Sequence, residues 1–155
     1  MSESKSFARK SFGAGSVGAT DPTKKASGPR QPAILVVDDE TGVRTLLEVG
    51  LRHHGLDVRV AADGPQAVTI YSQFWREIDV VLLDVRMPEM DGPRTLASLR
   101  QINPDVCCCY MSGEIGGYTH EQLIDSGAIH FVRKPFQLAD VAATLREIIS
   151  SSPLR

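Results

Sequence analysis

The sequence predicts an α/β domain with a doubly wound parallel sheet, and three observations carry that prediction. Ile34-Leu35-Val36-Val37 and Val80-Val81-Leu82-Leu83 are short runs apolar at every position, the pattern of a strand covered by helices on both faces. Each run stops at carboxylates, Asp38-Asp39 after the first and Asp84 after the second. Stretches of helical periodicity lie between such runs, in five rounds of strand then helix, and that alternation implies parallel strands joined by crossovers. About 120 residues so arranged bury a sizeable core.

Each element has its own signal. Met1 to Pro32 is rich in Ser, Gly, Ala, Lys and Pro, with Phe7, Phe12 and Val17 its sizeable apolar groups. It cannot bury enough surface to offset the entropy of ordering, so residues 1–32 read as a disordered basic tail or linker. The first strand starts at Ala33. A helix follows with Val43, Leu46, Leu47 and Gly50 on one face, and Gly55 offers a left-handed stop. Asp57 to Ala61 is the second strand. Asp63-Gly64-Pro65-Gln66 has the form of a capping box, opening a helix with Ala67, Ile70, Tyr71 and Phe74 together. Beyond the third strand, Met87-Pro88-Glu89-Met90-Asp91-Gly92 is loop chemistry, and the next helix carries Leu96 and Leu99 until Asn103-Pro104 stops it. Val106 to Met111 is the fourth strand, ending at Ser112, and Gly113 to Tyr118 is a loop with three glycines. Thr119-His120-Glu121-Gln122 caps a short helix that ends at Gly127, and Ile129 to Val132 is the fifth strand. Leu138, Val141, Ala142, Leu145, Ile148 and Ile149 form the stripe of the last helix. The domain is therefore expected over residues 33–150, with 151–155 a short C-terminal tail.

Composition narrows the function classes. With 155 residues, 42% hydrophobic and 23% charged, the chain is ordinary globular material for one domain. No apolar stretch reaches the roughly 18 residues of a membrane span, and Ser6 to Thr20 lacks the apolar centre of a secretion signal. The tail's basic, acid-poor composition also fits a transit peptide, a less favoured reading. Residues 1–32 carry six basic and two acidic side chains, a net of +4, which leaves −6 on the rest. An acidic domain is a poor binder of nucleic acid. Cys107-Cys108-Cys109 are consecutive, so a strand sends neighbours to opposite faces and they cannot converge on one metal. They read as small buried hydrophobes in a reducing compartment, consistent with the cytoplasm. His53, His54, His120 and His130 read as surface residues.

Four strands end in groups that can do work: Asp38/Asp39, Asp84, Ser112 and Lys134. In a parallel sheet these ends share one edge, where open α/β folds place their ligands. Asp84 alone reads as a helix cap; three carboxylates in one crevice read differently, because they repel unless a cation intervenes. Oxygen donors alone point to a hard ion such as Mg²⁺, and Lys134 and Ser112 are donors suited to a phosphoryl oxygen.

Leu35-Val36-Val37-Asp38-Asp39-Glu40, Leu82 through Gly92, Met111-Ser112-Gly113, and Gly127-Ala128 with Phe131-Val132-Arg133-Lys134-Pro135-Phe136 together resemble the receiver domain of two-component response regulators. The resemblance implies a flavodoxin-like (βα)5 fold with strand order 2-1-3-4-5. It makes Asp84 the phosphoacceptor, attacking a phosphohistidine on a histidine kinase or histidine phosphotransfer protein. It gives Mg²⁺ (or Mn²⁺) the ligands Asp39, Asp84, Asp38 mainly through water, and the backbone carbonyl of Arg86. Lys134 pairs with Asp84 at rest and with a phosphoryl oxygen afterwards; Ser112 takes another oxygen and draws its loop inward. Phe131 is then the aromatic switch, fixed core packing being its competing reading. The Lys134-Pro135 bond is expected cis.

Arg86 and Glu114, each two residues beyond a motif residue, are expected to pair across the pocket mouth and slow dephosphorylation. The resemblance implies signalling rather than enzymatic turnover beyond self-phosphorylation and self-dephosphorylation. A haloacid-dehalogenase-like hydrolase is the rival, but it needs an acid/base aspartate where Arg86 stands. The downstream partner is an unnamed protein, reached through the face of the fourth helix, fifth strand and fifth helix, with no direct nucleic-acid or membrane contact; a phosphorylation-dependent homodimer is compatible. The end at Arg155 favours a stand-alone receiver over a phosphorelay intermediate or a domain cut from a longer regulator or hybrid kinase.

Overall fold

The computed structural model describes residues 28–113 and 115–152. The strands and helices described all lie in the unit Gln31–Arg155. The strands are β1 (Ala33–Val37), β2 (Asp57–Ala61), β3 (Val80–Asp84), β4 (Cys108–Ser112) and β5 (His130–Arg133). They alternate with α1 (Thr41–His53), α2 (Gly64–Phe74), α3 (Gly92–Ile102), α4 (His120–Asp125) and α5 (Leu138–Ser151). All pairings are parallel, in the order β2-β1-β3-β4-β5. This is the flavodoxin-like arrangement that the sequence predicts. Among the described residues no helix is long and apolar enough to cross a membrane.

The period-two geometry of a strand explains why the central runs are apolar throughout. Leu35, Val37, Val81, Leu83, Cys108 and Tyr110 pack on one face with Ala67 and Tyr71 of α2 and Leu96 and Leu99 of α3. Ile34, Val36, Leu82, Cys109 and Met111 pack on the other with Leu47 and Leu51 of α1 and Val141 and Leu145 of α5. Cys108 and Cys109 thus lie in different cores, and burial pushes the Cys109 thiol up to about 12. These cysteines are hydrophobic filling, as expected. Of the four histidines, three are exposed and His54 is half-buried against the Gly50 carbonyl.

Four local readings need correction. β4 starts at Cys108 rather than Val106, because β3 begins at Val80 and its first β4 partner is Val81 to Cys108. β5 shifts with it, pairing Cys109 with His130 through Ser112 with Arg133. Ser112 closes β4, as the sequence predicts. Leu46 is exposed, while Val43, Leu47 and Leu51 pack inward and Gly50 faces Leu138 of α5, where a methyl would lie 2.5 Å from its Cδ1. At α2, Asp63 accepts from the Gln66 amide at 2.7 Å, but Gln66 returns its bond to the Ala62 amide at 2.6 Å, one residue earlier than a capping box. The reciprocal box forms as expected at Thr119 and Gln122. Gly55 (φ +80°) and Gly127 (φ +102°) take the left-handed conformation anticipated for helix stops, and the Lys134-Pro135 bond is cis.

Candidate functional site

Strand order positions the site. β1 and β3 are neighbours whose following helices pack on opposite faces of the sheet, and the crevice beyond their carboxyl ends is where open α/β sheets bind ligands. Asp38 and Asp39 lie just past β1, Asp84 ends β3, Ser112 ends β4, and Lys134 follows β5. One oxygen from each of Asp38, Asp39 and Asp84 lies within 4.8 Å of the others. A cavity of about 300 Å³ is lined by Asp39, Glu40, Asp84, Arg86, Ser112, Gly113 and Lys134.

Asp38 is fully buried, and every polar group it owns is held. Its amide donates to the Ala61 carbonyl at 3.2 Å, Oδ1 accepts from the Glu40 amide at 2.9 Å, and Oδ2 accepts from Lys134 Nζ at 2.7 Å. Lys134 lies 3.7 Å from Asp84 Oδ1. The ammonium thus reaches Asp84, as the sequence reading expects, while its hydrogen bond goes to Asp38. Burial works against the Lys134 charge, but the Asp38 hydrogen bond and the charges of Asp84 and Asp38 outweigh it, so its pKa is raised.

Asp84 is nearly enclosed, and burial pushes its carboxyl up to about 7. The neighbouring Asp38 charge adds to the rise, Lys134 opposes it, Asp39 adds a little more, and a hydrogen bond from the Arg86 backbone amide opposes it slightly. One lysine does not neutralise this cluster. A hard divalent cation would, and the donor set is oxygen only.

The close approach of α3 fixes the end of β3. Gly92 donates its amide to the Val85 carbonyl at 2.8 Å, and a methyl group there would lie 2.6 Å from the Asp84 carbonyl oxygen and 2.9 Å from the Val85 Cα. Only glycine lets the helix approach so closely. Gly92→Ala is expected to destabilise the fold by about 1–3 kcal/mol, as read by urea unfolding. Just upstream, Glu89 has φ +66° and the Met90 amide donates to the Pro88 carbonyl at 2.7 Å, a three-residue turn that brings Asp91 round to cap α3.

Arg86 is exposed; a methyl at Gly116 would lie 3.5 Å from its Cδ, so its stem runs along the β4–α4 loop. Glu114 lies outside the described residues, and so does its pairing with Arg86. Phe131 is half-buried, packs against the α2–α3 core and meets the His120 ring at 4.7 Å between centroids. A larger cleft of about 750 Å³ runs from Asp39 and Arg86 to Tyr118.

Two contributors escaped the sequence reading. Arg44 Nη1 donates to the Asp38 carbonyl at 2.8 Å; its signal is a cation in the first turn of a helix, where the dipole favours anions. Tyr118 donates its hydroxyl to Asp91 Oδ2 at 2.6 Å, joining the β4–α4 loop to the cap of α3. No local spacing rule links residues 27 apart.

The comparisons agree with this geometry. The family described as "Response regulator receiver domain" matches residues 34–146. The sensor kinase CckA of Brucella abortus is 36% identical over 116 residues, covering 75% of this chain and 12% of that protein. The transcriptional regulatory protein PrrA of Mycobacterium bovis is 32% identical over 123 residues, covering 79% of this chain and 52% of that protein. The chain thus spans about half or less of the length of these curated relatives. Among solved structures, the CheX-CheY-BeF3-Mg²⁺ complex from Borrelia burgdorferi superposes with a TM-score of 0.70 at 27% identity, covering 76% of this chain and 88% of that one. With the family match spanning most of the chain and the strand order agreeing, this protein belongs to the receiver-domain family of two-component response regulators.

Proposed function

We propose that this chain receives a phosphoryl group on Asp84 from a phosphohistidine, with Mg²⁺ (or Mn²⁺) bound, and so switches a protein-interaction surface. The observation that carries the reading is the convergence of Asp38, Asp39 and Asp84 beside Lys134 at the carboxyl edge of the sheet. The cation would be held by Asp39, Asp84 and the Arg86 carbonyl, with Asp38 acting mainly through water because Glu40 and Lys134 already occupy its oxygens. When bound it supplies positive charge to the carboxylates and to the oxygens of the group in transit.

Asp84 is the nucleophile: a carboxylate oxygen forms the new P–O bond as the P–N bond to the donor imidazole breaks. Lys134 lies within reach of Asp84 and offers donors to one phosphoryl oxygen, and the Ser112 hydroxyl offers one to another. Drawing Ser112 inward would move the loop that follows it, and Phe131, packed at its edge, would follow into the space that opens. Arg86, lying over the pocket mouth, would slow the attacking water, with Glu114 as its partner in that role. Residues 1–32 serve as an arm or linker to the receiver at 33–150. The cytoplasm, a histidine kinase or phosphotransfer protein upstream, a protein target downstream and a phosphorylation-dependent homodimer belong to the same reading. Nothing specific favours a hydrolase, since Arg86 stands where its acid/base would be.

The test is incubation of the full chain with labelled acetyl phosphate, with Mg²⁺ or with EDTA. One phosphoryl group per chain, mapped to Asp84 and dependent on Mg²⁺, is the expected result. Label elsewhere, label in EDTA, or steady turnover of a generic phosphatase substrate would refute it.

A further inference from the structure

We propose that Arg44 is a positioning residue for the acidic pocket, fixing the direction of the Asp39 carboxylate through the peptide that joins Asp38 to Asp39. The inference rests on the divalent-cation reading above. Arg44 stands one turn into α1, and helical side chains lean back toward the amino end, so its guanidinium returns over the β1–α1 loop. Nη1 donates to the Asp38 carbonyl at 2.8 Å and Nη2 to Thr41 Oγ1 at 3.1 Å. The other polar groups of Asp38 are held by Ala61, Glu40 and Lys134, and Arg44 completes the set at the carbonyl. That carbonyl is part of a rigid plane, and Asp39 hangs from its far side. Asp39 is exposed yet contributes one of the three converging oxygens, so its aim is set by the backbone that carries it.

Charge and positioning make opposite predictions here. A guanidinium near a cation site repels the cation, so charge alone predicts that removing Arg44 tightens Mg²⁺ binding. Positioning predicts that removal weakens it, as loss of groups that orient metal ligands does. The sign of the change decides.

The experiment is calorimetric titration of Mg²⁺ into the full chain as wild type, Arg44→Met and Arg44→Lys, with melting temperatures as the check on folding. Arg44→Met is expected to raise the Kd for Mg²⁺ about tenfold, and Arg44→Lys to fall between it and wild type. Labelling of Arg44→Met by acetyl phosphate should be slow at low Mg²⁺ and return to near the wild-type rate at saturating Mg²⁺, a split that a merely loosened fold does not give. Equal or tighter Mg²⁺ binding by folded Arg44→Met overturns the inference. If that variant does not fold, Arg44→Lys decides alone: a raised Kd supports positioning, and an unchanged Kd overturns it. Failure of the wild type itself to bind Mg²⁺ refutes the cation reading instead, so the two failures are distinct.

Discussion

Asp84→Asn is expected to abolish Mg²⁺-dependent phosphoryl uptake and, in the absence of metal, to make the protein more stable than wild type above pH 7. The loss of uptake follows from removing the attacking oxygen. The gain in stability follows from the crowding of Asp84. Its carboxyl titrates near 7 in the folded chain against an ordinary 3.8, so between those values the folded state keeps a proton that the unfolded state has released. Stability therefore falls as pH rises through that window, with an upper bound on the order of 4 kcal/mol for a shift of this size. The amide has no charge to crowd, so the variant should not show that decline. Urea unfolding in EDTA at pH 5 and pH 8 reads the effect. A variant no more stable than wild type at pH 8 would show that the cluster carries no uncompensated charge. Saturating Mg²⁺ should close the gap by stabilising the wild type alone.

Removing Lys134 should do the reverse. Asp38 is buried to 0% exposure and its Oδ2 has Lys134 as its charged partner at 2.7 Å. Deleting one member of a buried pair leaves a charge that neither water nor protein balances, at a cost of about 3–5 kcal/mol. Lys134→Met keeps most of the stem and so isolates the charge. Thermal denaturation of Lys134→Met in EDTA should show a loss of that size, with part recovered in Mg²⁺, since a second cation enters the same cluster. Phosphoryl uptake should be slow even at saturating Mg²⁺, because the oxygen that Lys134 would have bound has lost its donor. Unchanged stability in EDTA would refute this account of the Lys134–Asp38 pair.

What the sequence showed and what it hid divide along a physical line. Strand runs, helix stripes and caps are encoded within a few residues, so β1, β2 and β3, the Thr119 box and the Gly55 and Gly127 stops were all legible. The site was legible because parallel strands deliver their carboxyl ends to one edge, which makes topology alone enough to unite Asp38, Asp39, Asp84, Ser112 and Lys134. Register was not legible: the start of β4 depends on where β3 begins, and β5 follows β4. Nor was the choice of partner for Lys134, since a lysine among three carboxylates settles by local geometry, here on Asp38. Leu46 fits the helical period and still faces solvent, because the row of α1 that meets the core is Val43, Leu47 and Leu51.

The hydroxyl of Tyr118 on Asp91 stitches two otherwise separate stretches of the rim into a single hoop. A tug on the segment behind Ser112 must then either break that stitch or carry the leading end of α3 along with it. Under the proposed phosphorylation of Asp84, such a tug would reach α3 as well as α4.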